Sequence, residues 1–328
     1  MGASQLGRSV VAVVAFCVYA PLLPGQTTGD IRGIVKDPSG AVVPHAQVTA
    51  SLSAAGIERR VTSGDGGEFT IPTLAVGTYK VRIEAPGFKV YEQDNVVIDI
   101  GHVAQITASL EIGESTQVIT AEAAAPLVET TSTQLGAVMN STAVANLPLS
   151  TRDTYQLLQL QPGVQSQQGY ALFAGSDEAG AVSVNGGRGR ANNYNVNGGD
   201  ANDQFLNGPA IQPVPDAIEE FRVLTNTFDA EYGRNSGSVV NVVTKGGTNQ
   251  FHGDVYEFFR NTDLDARGFF DTVRPQFNQN QYGGTLGGPI KKDRTFFFVT
   301  AEGRNVRQGI PSPVVTVPTV TERNGDFS

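Results

Sequence analysis

Hydrophobic and polar positions alternate most clearly within residues 216–249. An extended run at 221–225 leads into a loop that Gly233 and Gly237 interrupt, and a second run at 238–244 alternates valine with asparagine. Alternation with a period of two is typical of a strand with one buried face. The pattern therefore predicts a strand, a loop and a strand, preceded by a short amphipathic turn. The apolar residues of that turn are Ala217, Ile218 and Phe221.

Residues 29–112 contain many short alternating runs separated by turn residues. In the clearest run, Tyr79, Val81 and Ile83 fall on one face of a strand. Seven or so short strands with regular turns predict an antiparallel β-sandwich. The runs lie at 29–36, 48–52, 58–63, 68–71, 78–84 and 104–110, with turns at 37–40, 64–67 and 86–87.

The middle of the chain has a mixed pattern. Residues 127–150 are weakly helical, and residues 151–160 carry a helical apolar stripe that Pro162 and Gly163 end. Strand-like residues follow at 182–184 and 194–196, and the Asn197-Gly198 pair that comes next favours a tight turn. This segment is predicted to be a small α+β domain.

The last eighty or so residues alternate in the manner of membrane strands. An aromatic-rich strand is expected at 251–260. The next strand places apolar residues on one face and polar residues on the other, which is the pattern of a strand with lipid on one side. The apolar face contains Tyr282, Leu286 and Ile290, and the other face contains Gln281 and Thr285. A charged turn at 291–294 then predicts a hairpin with the run at 295–304.

The net charge and the first residues of the chain limit the classes of function that the sequence allows. A net charge of -9 over 328 residues argues against nucleic-acid binding, which needs an excess of lysine and arginine. Residues 1–25 read as a secretory signal peptide, with Arg8 before an apolar run and helix-breaking prolines after it. The single cysteine, Cys17, lies in that leader, so no disulfide or thiolate metal site is expected in the mature chain.

Several of these segments resemble a known family. The runs "IEEFRV", "AEYGRNSGSVVNVVTKGGTN" and "FHGDVYEFFRN" resemble the end of the plug domain and the first barrel strand of TonB-dependent outer-membrane receptors of the Oar-like group. The run "SGDGGEFTIPTLAVGTYKVRIEAPGF" resembles the carboxypeptidase-regulatory-like module, which is a transthyretin-like sandwich. The residues Leu147, Pro148, Arg152, Leu157, Leu158, Pro162, Gly163 and Val164 match a further motif of family plugs.

The resemblance implies a mainly β chain of three folded parts: a transthyretin-like antiparallel β-sandwich, a small α+β plug domain, and the first strands of an outer-membrane β-barrel. A barrel needs at least about eight strands, and only three are predicted here, so we expect an incomplete barrel and a fragment of a longer protein. The expected boundaries are 1–25 for the signal peptide, 29–112 for the sandwich, 113–126 for a linker, 127–248 for the plug and 249–328 for the start of the barrel.

The linker contains a segment that resembles a TonB box, the segment that in this family pairs as an added strand with a periplasmic energy-coupling protein. Strand addition suits such a segment because main-chain hydrogen bonds supply the affinity. An ordinary first strand of the next domain is an equally open interpretation. The predicted partner-binding residues are Glu114, Ser115, Thr116, Gln117, Val118, Ile119, Thr120 and Ala121.

Two functions are weighed. The first is the N-terminal part of a TonB-dependent outer-membrane receptor, whose partners would be a TonB-type periplasmic protein, outer-membrane lipid, and a ligand that is a small molecule, a glycan or a peptide. The second is a secreted or surface-attached sandwich that binds carbohydrate, although Tyr79 and Phe69 fit a core better than a sugar platform. An enzyme is not expected, because His45, His102 and His252 lack metal-ligand spacing and no catalytic motif occurs. No cofactor or metal is predicted.

Overall fold

A computed structural model describes residues 27–113, 118–122, 134–147, 149, 152–166, 182–233, 235–267, 269, 274–309 and 317–326. The predicted signal peptide at 1–25 and most of the predicted linker lie outside the described residues. By internal contacts the chain divides into two compact units, Met1–His252 with Gly287–Phe298, and Gly253–Leu286 with Val299–Ser328. The sandwich and the plug segment both belong to the first unit.

The sandwich forms as the alternation predicts. One sheet has the strand order β4-β1-β7, and the other has the order β3-β2-β5-β6-β8. Tyr79, Val81 and Ile83 are fully buried, which confirms that one face of their strand packs into the core. The strands are β1 Thr28–Lys36, β2 Gln47–Leu52, β3 Ile57–Thr62, β4 Glu68–Ala75, β5 Gly77–Glu84, β6 Val90–Ile98, β7 Val103–Ser109 and β8 Val118–Glu122.

The predicted antiparallel pairing needs a correction at two places. Strands β1 and β7 run parallel, from Asp30 opposite Val103 to Lys36 opposite Ser109. Parallel pairing requires a long crossover connection. Between β1 and β7 the chain visits the second sheet twice, first in β2 and β3 and then in β5 and β6. The pair β6 and β8 is also parallel. The other ladders of the sandwich are antiparallel.

The plug segment is built around a five-stranded sheet in the order β13-β12-β15-β14-β9. Its core packs Tyr155, Leu157 and Leu158 against Phe221 and Val240. The elements are β9 Leu135–Asn140, helix α1 Ser141–Asn146, a 3-10 helix Thr154–Leu160, β10 Val164–Ser166, β11 Val182–Val184, β12 Asn193–Val196, β13 Gly199–Asp200, β14 Ile218–Asn226 and β15 Val239–Thr244, with single 3-10 turns at Gly189–Ala191, Pro215–Ala217 and Ala230–Tyr232.

Two local predictions in this segment hold only in part. The weakly helical stretch 127–150 begins, in its described part, with strand β9, because pairing with β14 overrides a weak helical preference. Helix α1 follows and has only six residues. The amphipathic turn before β14 is a 3-10 turn at Pro215–Ala217, and Ile218 already belongs to the strand.

The Asn197-Gly198 turn is confirmed. Both residues have positive φ, at 50° and 78°. These are the backbone angles of a type I′ hairpin turn, for which Asn-Gly is the favoured pair. The turn joins β12 to β13 at the edge of the plug sheet.

A third sheet contains β16 His252–Asn261, β17 Phe277–Lys291 and β18 Thr295–Gln308 in that order, and a short helix α2, Val320–Arg323, lies near the end of the described chain. The predicted alternation of β17 is confirmed, because Gln281 and Thr285 are buried while Tyr282, Leu286 and Ile290 are more than half exposed. Among the described strands, these three form an open sheet and not a closed barrel.

Candidate functional site

The predicted partner-binding segment lies partly in strand β8. Of its eight residues, those at 114–117 lie outside the described residues, and those at 118–121 belong to β8. This strand is the last of the five-stranded sandwich sheet and pairs with β6, from Val90 opposite Val118 to Asp94 opposite Glu122. The first described strand of the plug sheet is instead β9.

Local contacts explain how the chain reaches that edge. After β7, the amide of Lys89 donates to the carbonyl of Glu111 at 2.8 Å, and the amide of Gly113 donates to that of Gly87 at 3.1 Å. The Lys89 ammonium also lies 3.1 Å from the Glu111 carboxylate. These contacts hold the chain beside the start of β6, so that β8 can follow the same strand.

Strand β6 has an irregular backbone next to the pairs that it forms with β8. Asn95 follows the residue opposite Glu122 and has a positive φ of 59°. The pairing of β6 with β5 also shifts its register at this place. A β-bulge of this kind twists the strand. In the described part of the chain, all five residues of β8 pair with β6 in parallel.

An edge strand can accept another strand. Its outward N–H and C=O groups have no partner within the sheet, and such edges are templates for strand addition. The side chains of Val118 and Thr120 are exposed. Among the described strands, the segment thus has the extended shape and the edge position that addition of a partner strand requires.

A buried polar contact joins the sandwich to the plug segment. The turn between β6 and β7 inserts Ile100, which is fully buried, against strand β14. The amide of Ile100 donates to both carboxylate oxygens of Glu220, at 2.9 and 3.2 Å. The carbonyl of the same residue accepts a hydrogen bond from the guanidinium of Arg222. Glu220 and Arg222 are 2% and 5% exposed.

The guanidinium of Arg222 makes a second contact. Its other terminal nitrogen donates to the side-chain oxygen of Gln134 at 3.1 Å, directly before strand β9. The side-chain amide nitrogen of Gln134 in turn donates to the carboxylate of Asp229 at 2.7 Å. A single side chain of β14 therefore contacts the sandwich and the start of the plug sheet.

Burial sets the electrostatics of this contact. Removal from water raises the pKa of the Glu220 carboxyl to about 7, and the nearby charges of Asp99 and Glu219 act in the same direction. The hydrogen bond from Ile100 and the charge of Arg222 oppose that rise in pKa. The carboxyl consequently titrates close to neutral pH.

Sequence analysis missed these residues. Glu220 and Arg222 lie two positions apart, so they point to the same face of a strand. Two charges within an otherwise apolar run are a signal for buried polar contacts, since charges are rarely buried without a partner. The contact with Ile100, which is 120 residues away from Glu220, carries no sequence signal.

A buried ion pair lies inside the plug segment. The guanidinium of Arg152 contacts the carboxylate of Asp216, and their side chains are 9% and 15% exposed. This pair connects the start of the 3-10 helix Thr154–Leu160 to the turn before β14. The arginine of the plug motif therefore supports the position of β14 from the other side.

No group of three or more histidine, cysteine, aspartate or glutamate side chains is placed to hold a metal ion within the part of the chain that the structure describes. In the same residues, no helix combines the length and apolar character needed to cross a membrane.

Comparisons with known families agree with these parts of the structure. Residues 30–111 match the family described as carboxypeptidase regulatory-like domain. Residues 243–328 match the family described as outer membrane beta barrel domain. These matches define a protein that joins a regulatory-like sandwich to an outer-membrane barrel domain, and they indicate an outer-membrane location.

A curated relative makes the likeness more specific. The TonB-dependent transporter Oar of Myxococcus xanthus is 27% identical over 312 residues, which are 89% of this chain and 28% of that protein. The chain is therefore homologous to a TonB-dependent transporter, and the predicted resemblance is confirmed. It spans little more than a quarter of the length of that relative.

Two solved structures show a weaker likeness. The siderophore receptor PirA from Acinetobacter baumannii has a TM-score of 0.40 and 22% identity, over 53% of this chain and 25% of that one. The outer membrane transporter YddB from Escherichia coli has a TM-score of 0.42 and 16% identity, over 52% and 26%. With TM-scores below 0.5, neither likeness bears on function.

Proposed function

We propose that this chain is the N-terminal part of a TonB-dependent outer-membrane receptor that takes up a ligand through its barrel. The observation that carries the proposal is homology to a TonB-dependent transporter over 89% of the chain. The order of the parts supports it, because a regulatory-like sandwich, a plug-like sheet and barrel strands follow one another as in the predicted layout. The ligand would be a small molecule, a glycan or a peptide.

In this proposal the segment 114–121 is the site of energy coupling. A TonB-type periplasmic protein would add one of its strands to the segment, and force on the segment would then rearrange the plug. The placement of Val118 and Thr120 in an edge strand supports this role, because an extended segment with one free edge loses little conformational entropy when a partner strand is added.

A substitution of Ile119 by proline tests the coupling site. Proline removes a main-chain N–H and is incompatible with a regular ladder, so Ile119→Pro should weaken binding of a purified TonB-type periplasmic domain by at least about tenfold, the effect of losing one or two net hydrogen bonds. Ile119→Val keeps the main chain intact and should bind as the native chain does. Binding is measured by titration calorimetry with the full chain.

Two results of this titration would contradict the proposal. Equal affinity of the native chain, Ile119→Pro and Ile119→Val would contradict strand addition at this segment. Loss of affinity in Ile119→Val alone would show that the side chain is recognised instead of the main chain, which also contradicts the proposal.

Carbohydrate binding by the sandwich is not favoured. A sugar platform needs exposed aromatic rings, whereas Phe69, Tyr79 and Tyr91 are at most 8% exposed and belong to the sandwich core. Their burial confirms the expectation that Tyr79 and Phe69 are core residues. The curated relative is named as a transporter.

A further inference from the structure

Glu220 and Arg222 bind both polar groups of one buried residue. Ile100 offers its amide to the carboxylate and its carbonyl to the guanidinium. In a regular sheet, the amide and the carbonyl of a residue bond to main-chain atoms of a neighbouring strand. Here two charged side chains of β14 bond to the amide and the carbonyl of Ile100 instead. Hydrogen bonds with an ionised partner are about twice as strong as neutral ones. The turn at the end of β6 is therefore attached firmly to the plug sheet.

The fit at this contact leaves no room for a larger residue. Gly101 has a positive φ of 61°, and a Cβ atom there would lie 2.5 Å from a terminal nitrogen of Arg222. Glycine adopts this backbone conformation without strain and allows the guanidinium to approach. The shape of the turn and the position of the arginine thus depend on each other.

Two segments that are distant in the sequence meet at this arginine. On the plug side, the side chain of Gln134 accepts a hydrogen bond from Arg222 directly before β9. On the sandwich side, the same guanidinium donates to the carbonyl of Ile100. The two contacts therefore share one guanidinium.

We propose that Glu220, Arg222 and Gln134 act as positioning residues that make detachment of the sandwich and detachment of strand β9 a single cooperative event. Loss of either contact frees the guanidinium to move and weakens the other contact.

Amide hydrogen exchange of the full chain tests this coupling. Glu220→Ala removes the contacts with Ile100 on the sandwich side, and Gln134→Ala removes the contact with Arg222 beside β9 together with the one to Asp229. Glu220→Ala should accelerate exchange at 99–102 by about ten- to a hundredfold, the effect of losing a hydrogen bond to a charged group. It should also accelerate exchange at 135–140 several-fold, by roughly the size of a coupling between neighbouring residues. Gln134→Ala should accelerate exchange at 99–102 in the same way.

A matched control separates coupling from general loosening. The hydroxyl of Thr225 donates to the carbonyl of Leu135 at 3.4 Å and contacts the same edge of the sheet without involving the guanidinium. Thr225→Ala should accelerate exchange in β9 and leave residues 99–102 unchanged. In the double variant Glu220→Ala with Gln134→Ala, the effect at 99–102 should be smaller than the product of the two single effects.

Three outcomes would overturn the inference. They are an effect of Glu220→Ala confined to 99–102, an effect of Gln134→Ala confined to β9, and a multiplicative double variant. If Glu220→Ala unfolds the whole plug sheet, the exchange rates of Gln134→Ala at 99–102 test the coupling instead, because Gln134 lies outside that sheet. These measurements need no partner protein. If the binding test at Ile119 fails while the exchange coupling is observed, the proposed function is rejected and the coupling through Arg222 is retained.

Discussion

Glu220 is an acidic residue in a largely buried strand of the plug segment. Its carboxylate is satisfied by the amide of Ile100 and lies near the guanidinium of Arg222. Burying an ionised carboxyl costs free energy even when it is paired, and the cost and the pairing nearly balance in many proteins. The raised pKa of Glu220 shows that the cost exceeds the gain from its partners at this position.

Stability should depend on pH through Glu220. Its pKa in the folded chain, about 7, lies above its ordinary value of 4.5, so the folded chain retains a proton that the unfolded chain has released. The contribution to stability is complete below the ordinary pKa and is lost as pH rises through 7. Between pH 5 and pH 8, the native chain should lose roughly 2 kcal/mol more of its free energy of unfolding than Glu220→Gln. Urea denaturation at both pH values measures this difference.

The neighbouring acidic residue provides the control. Glu219 is half-buried, and its charge raises the pKa of Glu220 less than burial does, so Glu219→Gln should keep most of the pH dependence of the native chain. The account of Glu220 is contradicted if Glu220→Gln and the native chain lose the same free energy between the two pH values. It is also contradicted if the native chain becomes the more stable of the two as pH rises.

Strand β9 depends on one glycine. It forms the edge of the plug sheet beside β14, and a Cβ atom at Gly136 would overlap the carbonyl oxygen of Val223. Gly136→Val should therefore detach β9 from β14, raise amide exchange at 135–140 to that of an unpaired segment and lower the free energy of unfolding by about 1–3 kcal/mol. Exchange measured by mass spectrometry reports the strand directly.

A second substitution in the same strand serves as the reference. Leu135 is 58% exposed, and Leu135→Val should leave the protection of β9 unchanged. Normal protection of β9 in Gly136→Val would show that the close approach of the two strands is not required for their pairing.

The elements show where sequence patterns succeed and where they fail. Strands β5, β14, β15 and β17 were predicted because apolar and polar residues alternate along each of them in the sequence. Strand β9 was missed because most of its residues are exposed, so it lacks such a face. The edge position of β8 could not be predicted either, since parallel pairing with β6 depends on how distant parts of the chain meet and leaves no periodic signal.

At the scale of the whole molecule, the order of parts was predictable and their connection was not. Motif resemblance pointed to a sandwich, a plug and barrel strands, and the family matches at 30–111 and 243–328 agree with the first and the last. The exact boundaries of the domains remain predictions. The hydrogen bonds that join Ile100 to Glu220 and Arg222 depend on tertiary packing. The sequence pattern carries no signal for such packing.

The central claim is that the segment 114–121 receives a TonB-type protein in the outer membrane. Photo-cross-linking in living cells tests this most directly, with a photoreactive residue placed at Thr120, which is exposed in β8, or at Val97, which is 50% exposed in β6. The account predicts a cross-link from position 120 to the TonB-type protein, absent when that protein is deleted, and no such cross-link from position 97. Equal cross-linking from both positions, or none from position 120, would contradict it.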